Sequence, residues 1–264
     1  MAPPVEIALG NLSSVGRVRE RNEDYFGYFQ PPESGALPKK GRLFVVADGM
    51  GGETAGDVAS RLAVEIVHES YFADRADDPT EALRMSLQAA NRAIYERAQT
   101  QPERARMGTT CTALVVRDDA AHVAHVGDTR AYLIREASMT RLTRDHSLAE
   151  SGLANVLTRA LGMHPTVDVD VLDRPVPISR EDMFLLCSDG LWGQIEDGEV
   201  LRTVLARRDP QAACRDLVAL ANERGGRDNI TVQLIRIAGG ADYLEAAPRR
   251  PGLLAGLRRL LGAA

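Results

Sequence analysis

Between Leu43 and Ala47 the chain runs through five consecutive apolar residues and then breaks into Asp48-Gly49-Met50-Gly51-Gly52. A short apolar run closed by glycines reads as a buried strand, and any fold for this chain has to cover it. Such a strand hands a carboxylate to a turn whose backbone lies open. That construction suits a divalent cation, because Asp48 can share its two oxygens between metals while the glycines let main-chain carbonyls approach. A strand followed by a tight turn accounts for the segment equally well, so the other acidic stretches have to decide.

Around this strand the periodicities change in blocks. Residues Val5 to Ser14 and Tyr25 to Phe29 alternate as strands, with Gln30 to Gly41 a Pro- and Gly-rich loop. From Asp57 to Phe72, Val58, Leu62 and Ile66 stand four apart, the stripe of a helix. A second helix opens at Asp78-Pro79-Thr80-Glu81, where Asp78 can cap, Pro79 suits the first turn and Glu81 completes a capping-box pattern. After a polar loop over Gln101 to Arg106, strands are expected at Thr110 to Val116, His122 to Val126 and Ala131 to Arg135, close enough together to pair antiparallel. Two further strands at Asp168 to Val171 and Met183 to Cys187 precede helices over Glu196 to Ala206 and from Asp209-Pro210 to Gly225-Gly226. Ile230 to Ile237 is the last strand. This order predicts an α+β fold in which helices cover antiparallel sheets.

Composition narrows the function classes. The chain has 264 residues, 44% hydrophobic and 26% charged, which fits one large domain with an ample core or two small ones. A net charge of -5 argues against a nucleic-acid partner, which calls for a concentrated basic face. Cys111, Cys187 and Cys214 are odd in number and far apart, so neither a disulfide framework nor a zinc site is indicated, and a reducing cytoplasm is the expected compartment. No apolar run is long enough to span a bilayer and no signal-peptide pattern opens the sequence. The expected division is a main domain over 1–240 and a basic amphipathic tail over 241–264, whose leucines and arginines could dock on the domain, on a partner or on an anionic membrane surface, or fray.

Five aspartates stand at the edges of apolar runs: Asp24, Asp48, Asp128 in His-Val-Gly-Asp-Thr-Arg, Asp189 in Leu-Leu-Cys-Ser-Asp-Gly, and Asp228 in Gly-Arg-Asp-Asn-Ile-Thr. Each alone is a turn former. Together they would repel one another unless cations or protons held them. Oxygen ligands without histidine or cysteine at ligand spacing point to Mg²⁺ or Mn²⁺ rather than zinc. Two such ions sharing an aspartate can lower the pKa of a shared water and aim it at phosphorus, with no protein nucleophile needed. Arg19, five residues before Asp24, is the candidate to orient a phosphate, since guanidinium presents paired donors; a solvated charge is the plain alternative. A Walker-type GxxxxGK[ST] loop is absent from the sequence.

The motifs Gly16-Arg17-Val18-Arg19-Glu20-Arg21-Asn22-Glu23-Asp24, Asp48-Gly49-Met50-Gly51-Gly52, Met107-Gly108-Thr109-Thr110, Val126-Gly127-Asp128-Thr129-Arg130, Leu185-Leu186-Cys187-Ser188-Asp189-Gly190-Leu191-Trp192 and Arg227-Asp228-Asn229-Ile230-Thr231 occur in one order along nearly the whole chain. In this the sequence resembles the metal-dependent protein serine/threonine phosphatases of the PPM (type 2C) family, in their bacterial form. The resemblance implies a four-layer α-β-β-α sandwich of two antiparallel sheets flanked by helix pairs, with two core ions and a third, weaker one. It implies that Asp48 bridges two metals, that Gly49 offers its carbonyl, and that Asp189 and Asp228 complete the first site. Glu23 and Asp24 would hold waters around the second, Asn229 would support the metal shell, Asp128 with Asp189 would form the third site, and Arg19 would grip phosphate. It further implies phosphoprotein substrates, a bacterial Ser/Thr kinase as counterpart and a monomer; a non-catalytic phosphoprotein-binding module with the same fold is the competing reading.

Two departures from the family pattern stand out. Relatives carry a histidine where Met50 or Glu53 stands, which leaves Glu53, a metal-bound water or, more remotely, His146 as proton donor. Between His146-Ser147-Leu148 and Leu157-Thr158-Arg159 only Ala149 to Val156 is available, so a shortened flap and a more open site are expected.

Overall fold

The computed structural model describes residues 5–31, 40–51, 55–75, 77–101, 107–148 and 153–239. Strands β1 (Glu6–Ser14), β2 (Asp24–Phe29) and β3 (Arg42–Met50) are followed by the long helices α1 (Gly56–Ala73) and α2 (Pro79–Thr100). Next come β4 (Gly108–Thr109), β5 (Cys111–Arg117), β6 (Ala120–Val126), β7 (Arg130–Arg135) and β8 (Ser138–Arg141). Four short strands follow: β9 (Ser147–Leu148), β10 (Leu153–Leu157), β11 (Asp170–Val171) and β12 (Val176–Pro177). β13 (Met183–Cys187), helices α3 (Asp189–Trp192), α4 (Asp197–Leu205) and α5 (Pro210–Glu223), and β14 (Ile230–Gly239) complete the described chain.

Among the described residues the strands form two main sheets, ordered β1-β14-β13-β7-β8 and β11-β6-β5-β3-β2, and all their pairings are antiparallel. Alternation along β3 explains the layering. Leu43, Val45 and Ala47 pack with Val64, Leu83 and Leu87 of α1 and α2, whereas Phe44 and Val46 pack with Phe184, Leu186 and Ile235 of the other sheet. The outer face of that second sheet, including Leu185, Val232 and Leu234, is covered by Val200, Val204 and Leu217 of α4 and α5. The four-layer sandwich expected from the sequence is therefore the observed fold, and Leu43 to Ala47 lies fully buried at its centre.

Three local expectations need correction. β5 and β6 pair as expected, but β7 leaves them and pairs with β13 and β8 in the opposite sheet. The redirection occurs at Gly127, whose φ of 111° is open to glycine and costly for other residues. Of the strand expected over Asp168 to Val171, only Asp170–Val171 joins a sheet. Asp78 does cap α2, accepting the Thr80 N–H at 2.9 Å, but Glu81 pairs with Arg84 at 3.1 Å. The one-turn helix α3, β8 and the small β9–β10 hairpin were not anticipated; the hairpin occupies the shortened flap, with residues 149–152 outside the described ones.

Close approach of two loops fixes the end of the sandwich where β13 stops and β14 begins. A Cβ on Gly190 would lie 1.9 Å from the Asn229 carbonyl oxygen, and neither backbone has a flexible side chain to yield. Gly190→Ala is expected to lower the stability of the chain by about 1–3 kcal/mol, the usual range for overpacking, seen as a reduced midpoint in thermal unfolding. A melting temperature equal to wild type would show that the two loops are free to separate.

Candidate metal centre

All five aspartates lie at one end of the sandwich because the strand registers put them there. Asp24 opens β2 directly opposite Asp48 near the end of β3. Val126 at the end of β6 pairs with Cys111 at the start of β5, which sets Asp128 just beyond that edge. Cys187 ends β13 opposite Arg130 and Val232, so Asp189 and Asp228 leave the second sheet at the same end. Side-chain parity completes the arrangement. Phe26 and Val46 face the space between the sheets, and Asp24 and Asp48, two residues along, share that face.

The backbone around Asp48 is held firmly. Its carbonyl accepts from Thr110 N–H at 2.9 Å and from Thr109 Oγ1 at 2.8 Å, and its N–H donates to Thr110 Oγ1 at 3.0 Å. Gly49 donates to the Glu23 carbonyl at 3.1 Å, and a Cβ there would lie 2.0 Å from the Gly56 carbonyl oxygen, so this position has no room for a side chain. Ser188 Oγ donates to Asp24 Oδ2 at 2.8 Å and accepts from Thr231 N–H at 2.9 Å, tying the two sheets together beneath the carboxylates. No role for Ser188, Thr109, Thr110 and Thr231 was apparent from the sequence; Ser188 and Thr231 stand in the Asp189 and Asp228 motifs and the two threonines in Met107-Gly108-Thr109-Thr110, which was the available signal.

Electrostatics show what the cluster lacks. Burial, followed by the charges of Asp24, Asp189, Asp128 and Asp228, holds Asp48 well above the usual carboxylate range. Burial pushes Asp24 up to about 7 despite hydrogen bonds from Thr231 and Ser188. Burial and then Asp189 raise Asp128 to about 7, and burial and then Asp228 raise Asp189 to about 6. Asp24 Oδ1 and Asp189 Oδ1 are buried with no hydrogen-bond partner. Mutually repelling carboxylates with orphaned oxygens fit divalent cations bound through oxygen. Among the described residues no group of three or more histidine, cysteine, aspartate or glutamate side chains is set to hold a metal ion by itself, so the fit rests on the mutual charge and the orphaned oxygens.

Arg19 is drawn to this group, donating to Asp228 Oδ2 at 2.7 Å while its side chain remains 51% exposed. Asp228 Oδ1 accepts from its neighbour's N–H at 2.9 Å. The Asn229 side chain is spent on backbone: Oδ1 accepts from Glu23 N–H, and Nδ2 donates to the carbonyls of Val15 and Arg21. It therefore anchors the loop that carries Arg19 and Glu23. Glu53 lies outside the described residues. His146 is buried and committed, its Nδ1 accepting from Gly127 N–H at 3.0 Å and its Nε2 facing Asp170 Oδ2 at 3.0 Å, which makes it a structural histidine of the Asp128 loop.

These shifts set a pH dependence for the metal-free chain. Carboxyls raised in the folded state contribute stability that is fully present below their unfolded pKa of roughly 4 and lost as pH rises through about 6 to 7. His125, buried and lowered to about 3, acts in the opposite sense only below its ordinary value of 6.5. In excess chelator the melting temperature is expected to fall between pH 6.5 and 8, and less steeply in Asp128→Asn, as read by scanning calorimetry. A chelated protein that gains stability over that interval would contradict the burial of these carboxyls.

Known proteins resemble this chain along most of its length. The family model described as protein phosphatase 2C matches residues 17–221. The chain is 34% identical over 239 residues to the serine/threonine phosphatase stp of Listeria innocua, covering 83% of this chain and 92% of that protein. Among solved structures, PppA of Pseudomonas aeruginosa superposes with a TM-score of 0.75 at 34% identity, covering 88% of this chain and 98% of that one. The catalytic domain of the phosphatase PstP, in complex with two manganese ions, superposes with a TM-score of 0.73 at 30% identity, covering 89% and 100%. By this family match and these relatives, the chain belongs to the protein phosphatase 2C (PPM) family of serine/threonine protein phosphatases.

Proposed function

We propose that this chain hydrolyses phosphoserine and phosphothreonine in proteins with Mg²⁺ or Mn²⁺ at the carboxylate end of the sandwich. The observation that carries this reading is the convergence of Asp24, Asp48, Asp128, Asp189 and Asp228, whose mutual charge, with unpartnered oxygens on Asp24 and Asp189, has no use in a domain that only binds phosphopeptides. Asp48, the Gly49 carbonyl, Asp189 and Asp228 would hold the first ion, with Asp48 shared. Asp24 and Glu23 would serve the second, and Asp128 with Asp189 a third of lower affinity. When bound, such ions supply Lewis acidity that polarises phosphoryl oxygens and lowers the pKa of water.

The chain's own residues do the rest. Arg19 is anchored through Asn229 at the base of its loop yet exposed at its tip, so it can exchange Asp228 for a phosphoryl oxygen and orient the ester. The hydrogen bonds from Thr109, Thr110 and Ser188 keep the Asp48 backbone and the Asp24 carboxylate in place while charge builds at phosphorus. Glu53 is the side chain assigned to proton delivery to the leaving alkoxide. We assign residues 1–240 to the catalytic domain and 241–264 to a separate tail, and place the protein in the cytoplasm as a monomer opposing a bacterial Ser/Thr kinase in signal transduction. Among the described residues no helix is long and apolar enough to cross a membrane.

Hydrolysis of p-nitrophenyl phosphate and of a phosphothreonine peptide tests the assignment. With Mn²⁺ both are expected to turn over, and excess EDTA is expected to abolish the reaction. Asp48→Asn and Asp189→Asn are expected to lose more than about 100-fold in kcat/KM, above the loss typical of an outer-shell partner; full activity in either rejects the metal assignment. Arg19→Ala is expected to raise KM about tenfold, equivalent to roughly 1.4 kcal/mol of phosphate binding, and unchanged kinetics would remove it from the site. For Glu53→Gln the acid-donor role predicts a lost limb in the pH–rate profile, and an unaltered profile excludes it.

A further inference from the structure

Asp128 lies on the crossing into β7 and Asp189 on α3, each two residues from the backbone pairing of Arg130 with Cys187, and one side chain adds a direct bond between crossing and helix. From Asp189 the one-turn helix α3 ends at Trp192, whose Nε1 donates back to the Asp128 carbonyl oxygen at 3.1 Å. The indole is itself covered. The Arg130 guanidinium carbon lies 3.7 Å from its ring centroid, close enough for a strong cation–π contact. Arg130 is in turn locked by a bidentate pair to Asp145, Nε at 3.0 Å and Nη2 at 2.7 Å, with side-chain exposures of 14% and 12%. Its remaining nitrogen, Nη1, donates to the Tyr132 hydroxyl at 3.0 Å, and that hydroxyl donates to Asp197 at 3.2 Å.

The rest of the Asp128 loop is fixed from the other side. Gly127 exchanges hydrogen bonds with His146, through the His146 N–H to the Gly127 carbonyl at 2.7 Å and through the Gly127 N–H to Nδ1. Thr129 is held by Thr112 at 2.7 Å. These ties place the loop against its own sheet. The pairing of Arg130 with Cys187 brings the strand after the loop beside β13, and the indole bond ties the loop to α3 itself, which fixes Asp128 relative to Asp189 more closely.

We propose that Trp192 is a positioning residue that fixes Asp128 against Asp189, with the Arg130–Asp145 pair as its brace, and thereby sets the affinity of the weaker cation position between them. The inference rests on the metal reading of those two carboxylates. Partners at this remove from a ligand typically contribute 10- to 100-fold to metal affinity. Arg130 fills its place through planarity as well as charge, so lysine is not an equivalent replacement.

Trp192 is the single tryptophan of the chain, so its emission reports on this position without labelling. The test is Mn²⁺ titration of the full chain, followed by calorimetry and by quenching of Trp192 fluorescence. Wild type is expected to show tight and weak classes of Mn²⁺ binding. In Trp192→Phe the weak class is expected to weaken about tenfold while the tight class stays within about twofold. Arg130→Lys keeps the indole, and its half-quenching Mn²⁺ concentration is expected to rise about threefold to tenfold. A lowered melting temperature with the wild-type ratio of weak to tight affinities in both variants would reduce Trp192 to packing and overturn the proposal. A single affinity class in wild type also overturns it, since no weaker position then exists to be tuned. Failure of wild type to bind Mn²⁺ at all would instead overturn the metal reading on which it stands.

Discussion

Asp24 and Asp48 face each other across one register position of an antiparallel pair, where like charges oppose pairing. Much of this end of the sandwich is organised around that repulsion. The two carboxylates share the inter-sheet face of β2 and β3, so they meet Asp189 and Asp228 arriving from the opposite sheet. Ser188 and Thr231 reach across from that sheet and place polar hydrogens beneath Asp24. Farther in, Gln233 Nε2 donates to the Gly27 carbonyl at 3.1 Å, and beyond it the layer is apolar, with Phe44, Leu186 and Ile235. A polar mouth grading into an apolar interior lets the acidic cluster exist without loosening the sheet–sheet contact that carries it.

The fold was legible where periodicity and local chemistry agreed. The stripe of Val58, Leu62 and Ile66, the Asp78 and Asp209 caps and the glycines after Glu223 gave both long helices on one side and the closing helix on the other, and each cap makes its bonds in the structure. What failed depended on longer-range geometry. Nothing in Val126-Gly127-Asp128-Thr129-Arg130 tells a hairpin from a crossing between sheets, because a positive φ at glycine serves both. The unread strand β8 is short and mostly exposed, and α3 is a single turn. Neither buries enough periodic surface to leave a pattern.

The site was legible as a set of residue types and not as a set of bonds. Five aspartates at the ends of apolar runs could be counted in the sequence, and strand register then brought them together. Arg19 was picked out for phosphate, but its ion pair with Asp228 spans 209 residues and has no sequence signature. Asn229 illustrates the same limit: the family resemblance implied a supporting part for it, but the bonds of its amide to the backbone of Val15, Arg21 and Glu23 have no sequence signature. Its contribution to the site is the position of the loop.

Rigidity of the supporting element ranks the carboxylates by the work each can do. Asp24 and Asp48 sit within paired strands, and Asp228 and Asp189 lie two residues or fewer from a strand end, braced by the contact of Gly190 with Asn229. Backbone ladders bring these four residues to one end of the sandwich, and Thr109, Thr110 and Ser188 then hold the Asp48 backbone and the Asp24 carboxylate. Asp128, also two residues from a strand on either side, stands on a three-residue crossing between the sheets, where the backbone bond from His146 N–H to Gly127 is joined by side-chain bonds: His146 to Gly127, Thr112 to Thr129 and Trp192 to the Asp128 carbonyl. A ligand held by side chains can be retuned by substitution without rebuilding a sheet. In this fold the end of the sandwich thus supplies a fixed core of oxygens and one adjustable position beside it.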